Sequence, residues 1–238
     1  MKKNKAICFD LENKVVIVTG AGQGIGKDIA LRLAEEKAVV IIADIDMKNA
    51  ERAAEEISKR NLKATPIEVN VAKKADVKNM TEFVIAKHEK IDFLVNNAGV
   101  RTINLFKDLT EKEWDWVIDV NLKGVFLCSQ SVVNYMRKRK NGCIVNISSV
   151  LSLGAMRGRA HYCSSKSGVS SLTRVMATEL AQYNIRVNAV APGIIHSPMA
   201  DENPPDAFQD KHRHLPALLL LSDESEPPGH FLCIQDLQ

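Results

Sequence analysis

The chain has no C-x-x-C pair, no apolar stretch of transmembrane length, no internal repeat, no low-complexity linker and no large excess of either charge. Each absence narrows what the molecule can be. The five cysteines, Cys8, Cys128, Cys143, Cys163 and Cys233, are scattered and odd in number. That argues against a zinc site or a disulfide framework and for free thiols in a reducing cytosol. Met1-Lys2-Lys3 begins as a signal peptide does, but Asp10 and Glu12 break the apolar run that follows. Leu215–Leu221 is far too short to cross a bilayer. With 32 basic and 29 acidic residues, the charges intersperse along the expected helix faces, as on a solvated surface, and offer little to nucleic acid. The run Arg137-Lys138-Arg139-Lys140 fits a helix C-terminus, where cations oppose the negative end of the dipole. The expectation is a soluble cytoplasmic protein with no metal, membrane or nucleic-acid partner.

What is present alternates between two periods. Short runs rich in β-branched residues read as buried strands at Val15–Thr19, Val39–Asp44, Ile67–Val71, Phe93–Asn96, Cys143–Ser148 and Arg186–Ala191. Helical periodicity fills the intervals Gly24–Lys37, Lys48–Arg60, Lys74–Lys87, Glu111–Arg139 and Ser164–Tyr183. Strand–helix alternation specifies an α/β fold: a doubly wound parallel sheet of about seven strands, covered by helices on both faces. The length of 238 residues suits one domain spanning 1–238. After Gly193 the pattern weakens. His196–Pro216 reads as a loop, Leu215–Ser222 as a short helix and Phe231–Ile234 as a last strand.

A strand, a glycine turn and a helix follow one another at Val15–Thr19, Gly20-Ala21-Gly22-Gln23-Gly24-Ile25-Gly26 and onward. Glycines allow close approach of a pyrophosphate, and the helix N-terminus offers unpaired N–H groups. The spacing is Gly20-x-x-x-Gly24-x-Gly26, distinct from G-x-G-x-x-G, and taken alone it also fits an ordinary tight turn. About twenty residues on, Asp44 closes the second strand, where a carboxylate can accept from ribose hydroxyls and repel a 2′-phosphate. Gln23 and Ile45 bring no cation nearby, so NAD is expected over NADP. Asp44 also fits a plain turn with Asp46.

Further along stand Asn96-Asn97-Ala98-Gly99, Asn121, Ser149, Tyr162-x-x-x-Lys166 and Pro192-Gly193. Together with the glycine turn these motifs resemble the short-chain dehydrogenase/reductase family from about Leu11 to Met199, with 3-oxoacyl-acyl-carrier-protein reductases similar along most of the length. The resemblance implies a Rossmann-type fold and alcohol–ketone interconversion with a nicotinamide cofactor. It implies Tyr162 as general acid/base, Lys166 lowering its pKa and binding the nicotinamide ribose, Ser149 polarising the substrate oxygen, and Asn121 holding a water that links Lys166 to solvent. Cofactor contacts are implied at Gly20, Gln23, Gly24, Ile25 and Gly26, at Asp44 and Ile45, and at Asn70 and Val71. Asn97, Ala98 and Gly99 would line the adenosine side, and Pro192, Gly193, Ile195 and Ser197 the nicotinamide.

A tyrosine needs a downward shift of about two to three units to act as a base near neutrality. One cation about 4 Å away supplies on the order of 4 kcal/mol at an effective dielectric near 20, so Lys166 at i+4 accounts for most of it on this reading. Separately, each residue has a structural alternative: an amphipathic Tyr162–Lys166 pair, a strand-end turn at Ser148-Ser149, a mid-helix irregularity at Asn121. His161 reads as structural or as a pocket wall. Arg101, Arg157 and Arg159 fall in loops near the expected pocket mouth, either solvated or facing an anionic substrate group.

Three departures from the family pattern stand out. Asn70 replaces an aspartate that accepts from adenine, its amide oxygen still able to accept. Ser197 replaces a threonine. Residues 196–238 are abbreviated where the family has a substrate flap and an assembly surface. The reading is an NAD(H)-dependent secondary alcohol/ketone oxidoreductase acting on a small molecule as a homo-oligomer, dimer or tetramer. The alternative is a dinucleotide-binding sensor or scaffold with little turnover.

Overall fold

The computed structural model describes residues 11–193 and 195, and the backbone of Phe231–Ile234. Seven strands, β1 Val15–Thr19, β2 Val39–Asp44, β3 Lys63–Glu68, β4 Phe93–Asn96, β5 Gly142–Ile147, β6 Ile185–Pro192 and β7 Phe231–Ile234, form one sheet in the order β3-β2-β1-β4-β5-β6-β7. Every pairing is parallel. Parallel neighbours require crossovers, supplied by α1 Gly24–Glu35, α2 Met47–Ser58, α3 Lys74–His88, α4 Glu111–Ile118, α5 Gly124–Arg139 and α6 Ala160–Leu180. Alternate residues of a strand point to opposite faces, and the core divides accordingly. Val16, Val18, Val40 and Ile42 pack with Leu33 of α1 and Ile57 of α2. Val15, Ile17 and Ile41 pack with Met80 of α3 and Val132 and Met136 of α5. The doubly wound sheet expected from the alternation is the one observed.

Three elements depart from the sequence expectation by more than a residue or two. β3 spans Lys63–Glu68, earlier than Ile67–Val71. It is an edge strand, half-exposed and carrying Pro66, so it lacks the apolar run of a central strand. Val69 and Val71 instead follow its end, buried. α6 begins at Ala160, four residues before Ser164. Its first turn has no side-chain cap, so no capping residue marks it in the sequence. The long helix expected at Glu111–Arg139 is divided by a π-helical turn, Asp119–Lys123. Thr110 and Glu113 form a capping box that starts its first half.

The basic run ends α5 as expected. Arg139 donates to Asp92 (3.0 Å), and Arg137 lies over the Tyr183 ring at 4.5 Å from its centroid. The Asp92 carboxylate also accepts from the Val15 amide, tying the start of β4 to the start of β1. Burial works to raise its carboxyl, yet these bonds hold it below the usual range. The loop and helix expected at His196–Pro216 and Leu215–Ser222 lie outside the described residues. Among those described, no helix is long and apolar enough to cross a membrane.

Candidate active site

The chain runs from β1 outward to β2 and β3, then returns to continue on the other side with β4. A cleft opens at such a reversal, at the carboxyl ends of the strands. The glycine turn leaves β1 there, with Gly20 at φ 63° and Gly24 at φ 55°, a region that L side chains resist. A Cβ on Gly26 would run into the Gly20 carbonyl and the Asn97 amide, and one on Gly22 would meet Asn49 at 2.7 Å and the Asp44 carboxylate at 2.9 Å. Asn97 Nδ2 donates to the carbonyls of Thr19 and Gly20, both at 3.0 Å, while Thr19 Oγ1 accepts from the amides of Asn97 and Ala98. The turn is thus held from β4. α1 then starts at Gly24 with no side-chain cap from Gln23. A bare helix start beside glycines packed too closely for any side chain fits a pyrophosphate.

Asp44 ends β2 beside this turn. Its carboxylate accepts from the Gly22 amide at 2.8 Å and from the Asp46 amide at 3.1 Å. Asp46 in turn caps α2 through the amides of Lys48 and Asn49, so the turn alternative for these two residues also holds. Ile45 beside them is exposed, an apolar surface next to a carboxylate. Asn70 and Val71 follow β3. Asn70 Oδ1 accepts from the Ala72 amide at 3.0 Å, so the oxygen expected to face adenine is already engaged.

On the other side of the cleft, Ser149 follows β5 and Tyr162 and Lys166 stand on α6. Lys166 Nζ is buried, donates to the Ile147 carbonyl at 2.7 Å, and lies 5.8 Å from the Tyr162 ring centre. Burial pushes its amine down to about 8. Burial also pushes the Tyr162 phenol above its ordinary value. The Ser149 hydroxyl hydrogen-bonded to it, and the charges of Arg101 and Arg159, pull the other way. The Lys166 amine, expected to draw the phenol down, is turned onto a backbone carbonyl here, and the charges of Arg101 and Arg159 act on the phenol in the same sense.

Asn121 sits in the π turn, fully buried. Its Oδ1 accepts from the Val100 amide at 2.7 Å, and its Nδ2 donates to the Val100 carbonyl at 2.9 Å and to Ser165 Oγ at 3.2 Å. Both amide hydrogens are committed, so the side chain acts as a clamp on Val100. A Cβ on Gly99 would stand 3.4 Å from Asn121 Oδ1 and 3.7 Å from Lys166 Nζ, which brings these expected site residues into one place. Pro192 ends β6, Gly193 and Ile195 follow it, and Ser197 lies outside the described residues.

Of the three arginines, Arg157 is exposed, whereas Arg159 is buried and donates to the Thr102 carbonyl at 3.0 Å. Surface solvation does not describe Arg159. Residues overlooked in the sequence are Val100, Ser165 and Ile147, which work through a backbone group or a short hydroxyl. No residue type or spacing announces such a role. Ser165, for instance, accepts from Asn121 and donates to the Tyr162 carbonyl at 2.8 Å.

Residues 14–207 match the family model described as short chain dehydrogenase. The 3-oxoacyl-acyl-carrier-protein reductase FabG of Thermotoga maritima is 42% identical over 228 residues, covering 90% of this chain and 93% of that one. BbsD of Thauera aromatica, a subunit of a hydroxy(phenyl)methylsuccinyl-CoA dehydrogenase, is 43% identical over 194 residues, 82% of this chain and 78% of its own. A crystal structure of a short chain dehydrogenase from Mycobacterium smegmatis superposes with a TM-score of 0.75 at 34% identity, covering 77% of this chain and 78% of that one. The chain belongs to the short-chain dehydrogenase family of oxidoreductases, which bind a nicotinamide dinucleotide.

Proposed function

We propose that the chain is an NAD(H)-dependent oxidoreductase interconverting a secondary alcohol and a ketone, with Tyr162 as general acid/base. The observation that supports it is the gathering of Ser149, Tyr162 and Lys166 on one side of the cleft, opposite the glycine turn and Asp44. The bound nicotinamide supplies the hydride acceptor or donor.

The chain's own residues supply the rest. Gly20, Gly24 and Gly26 admit the pyrophosphate to the start of α1, and Asp44 accepts from the adenosine ribose hydroxyls while its charge repels a 2′-phosphate. Ile45, Asn70 and Val71 border the base. Ser149 donates to the substrate oxygen. Tyr162 takes the hydroxyl proton in oxidation and returns it in reduction. Lys166, with an amine near 8, exchanges a proton close to neutrality and reaches the ribose when its bond to Ile147 is given up. Pro192, Gly193, Ile195 and Ser197 border the nicotinamide.

Asp44 is the basis for NAD over NADP. The similarity to reductases expected to favour NADPH argues the other way, and this carboxylate outweighs it because it stands at the glycine turn itself. The named relatives act on acyl groups carried by acyl carrier protein or coenzyme A, so 3-oxoacyl and 3-hydroxyacyl thioesters head the substrate panel. We read 1–238 as one cytoplasmic domain that forms homo-oligomers; Phe126 of α5 and Val175 of α6, both exposed, suit such contacts.

Nicotinamide fluorescence titration with a ketone and alcohol panel tests the reading. Tyr162→Phe should lower turnover about 10²–10⁴-fold and leave cofactor affinity within a factor of two. Cofactor binding with no turnover across a broad panel would support the sensor alternative instead.

A further inference from the structure

One buried side chain next to Tyr162 has no part in the proton transfer. His161 is fully buried, and its Nε2 shares a 2.8 Å hydrogen bond with Thr102 Oγ1. Its Nδ1 is buried too, with no hydrogen-bond partner among the described residues. A ring held at one nitrogen only, in a site closed to water, is costly to keep unless that single bond matters.

The bond is one of three that join the same two segments. Asn104 donates its amide to the Gly158 carbonyl at 3.1 Å, and Arg159 donates to the Thr102 carbonyl at 3.0 Å. These bonds lie between the loop after β4 and the start of α6, two to Gly158 and Arg159 just before it and one to His161 in the first turn, the turn that carries Tyr162. The other end of that loop is held separately, by the Asn121 clamp on Val100. Arg101, one of the two cations acting on the Tyr162 phenol, lies in the chain between the two fastenings. The loop's backbone is therefore fixed on both sides of Arg101, and the first turn of α6 is fixed against it. α6 has no side-chain cap at its start; these contacts are what tie it to the loop.

We propose that His161 is a positioning residue for the reaction: through Thr102 it locks the loop after β4 to the first turn of α6 and so sets the placement of Tyr162 relative to Ser149 and Arg101. It touches neither cofactor nor substrate. Burial lowers the imidazole's affinity for a proton, with Glu113 working against that and Arg159 with it. The neutral ring is the form the structure favours, and it can present one hydrogen-bonding nitrogen to Thr102 without burying a charge.

The inference rests on Tyr162 being the acid/base, and the experiment separates the two. The full chain is compared as wild type, His161→Phe, His161→Gln, Thr102→Val and the His161→Phe/Thr102→Val double variant. Phenylalanine keeps the ring and removes the bond, glutamine returns a polar nitrogen near the place of Nε2, and valine removes the partner. His161→Phe and Thr102→Val should each lower kcat about tenfold or more. NADH Kd, read by fluorescence, should stay within a factor of two. His161→Gln should recover most of the loss, and the double variant should be no worse than the poorer single one. The rising, acid-side limb of the oxidation profile, which follows loss of the phenol proton, should move to higher pH in His161→Phe, because the phenol loses the alignment with Ser149 and Arg101 that draws it down. A residue that only stabilised the fold would lower Tm and leave kcat per bound cofactor, and that limb, unchanged. Wild-type kcat and limb in His161→Phe, or losses that simply add in the double variant, would overturn the proposal. Should His161→Phe not fold, Thr102→Val carries the same readouts. Full activity in Tyr162→Phe would instead overturn the acid/base assignment on which it stands.

Discussion

The Lys166 ammonium donates to the Ile147 carbonyl at 2.7 Å while standing 5.8 Å from the centre of the Tyr162 ring. The two groups share one side of the cleft, but the amine is engaged with the end of β5. Its buried position has a measurable effect on stability. A lysine whose folded pKa is near 8, against an ordinary 10.5, is protonated in the unfolded chain and not in the folded one between those values. The unfolded state then binds more protons, so this residue makes stability rise with pH from about 8 to about 10.5, by up to roughly 3 kcal/mol. Cys128 and Cys143 act in the opposite sense above pH 9, since burial raises their thiols to about 12 and about 11. Chemical denaturation from pH 7 to 10.5 should show the rising contribution in wild type minus Lys166→Met. A flat difference would mean the amine is not desolvated.

Asp44 should decide the cofactor. Its carboxylate holds the Gly22 amide at 2.8 Å, so a phosphate on the ribose would meet a negative charge at close range. Asp44→Ser retains a hydroxyl for the amide and removes the charge. NADH should bind about tenfold more weakly, equivalent to ~1.4 kcal/mol, and NADPH more tightly. Fluorescence titration of both cofactors checks this; tighter NADPH binding in the wild type would refute the role of Asp44.

The central strands, the order of elements and the cofactor turn were legible in the sequence because each rests on a local rule. Val15–Thr19 is a continuous β-branched run, and Gly20 and Gly24 adopt positive φ where the glycine spacing calls for it. What escaped depends on tertiary packing. The start of α6 at Ala160 has no capping side chain to mark it, and what ties it to the loop after β4, such as His161 to Thr102, joins residues far apart in the chain. Asn70 could be assigned an accepting oxygen from its residue type, but only the fold shows that this oxygen also accepts from the Ala72 amide. Similarly, the i+4 spacing put Lys166 on the face of Tyr162 and said nothing of the Ile147 carbonyl within its reach.

Gly26→Ala should impair both cofactor affinity and stability. Its new methyl group would collide with the Gly20 carbonyl and the Asn97 amide, which belong to backbone and to a side chain already bonded twice. An affinity loss of tenfold or more and a cost of about 1–3 kcal/mol are expected. Gly154→Ala is the control, since nothing lies within 4 Å of the added carbon. Thermal unfolding with and without NADH measures both effects.

Thiol chemistry should separate the cysteines by burial. Cys128 and Cys143 are closed to solvent with strongly raised thiols, while Cys163, beside Tyr162, is partly exposed. Alkylation of the native protein at pH 8, followed by peptide mass mapping, should modify Cys163 and spare the other two. Modification of Cys128 before Cys163 would contradict this packing.

The π turn at Asp119–Lys123 reaches further than Asn121 itself. One extra residue in a single turn offsets the apolar stripes on either side of it by about 100°. α4 can then lie against α6, while α5 lies against α3 and strands β4 and β5. An uninterrupted helix would present one stripe and could satisfy one of these neighbours at a time. Register across residues 119–123 is therefore an inherited constraint on length: shortening the turn by a single residue would misalign every side chain beyond it, although no residue in contact with a ligand had been changed.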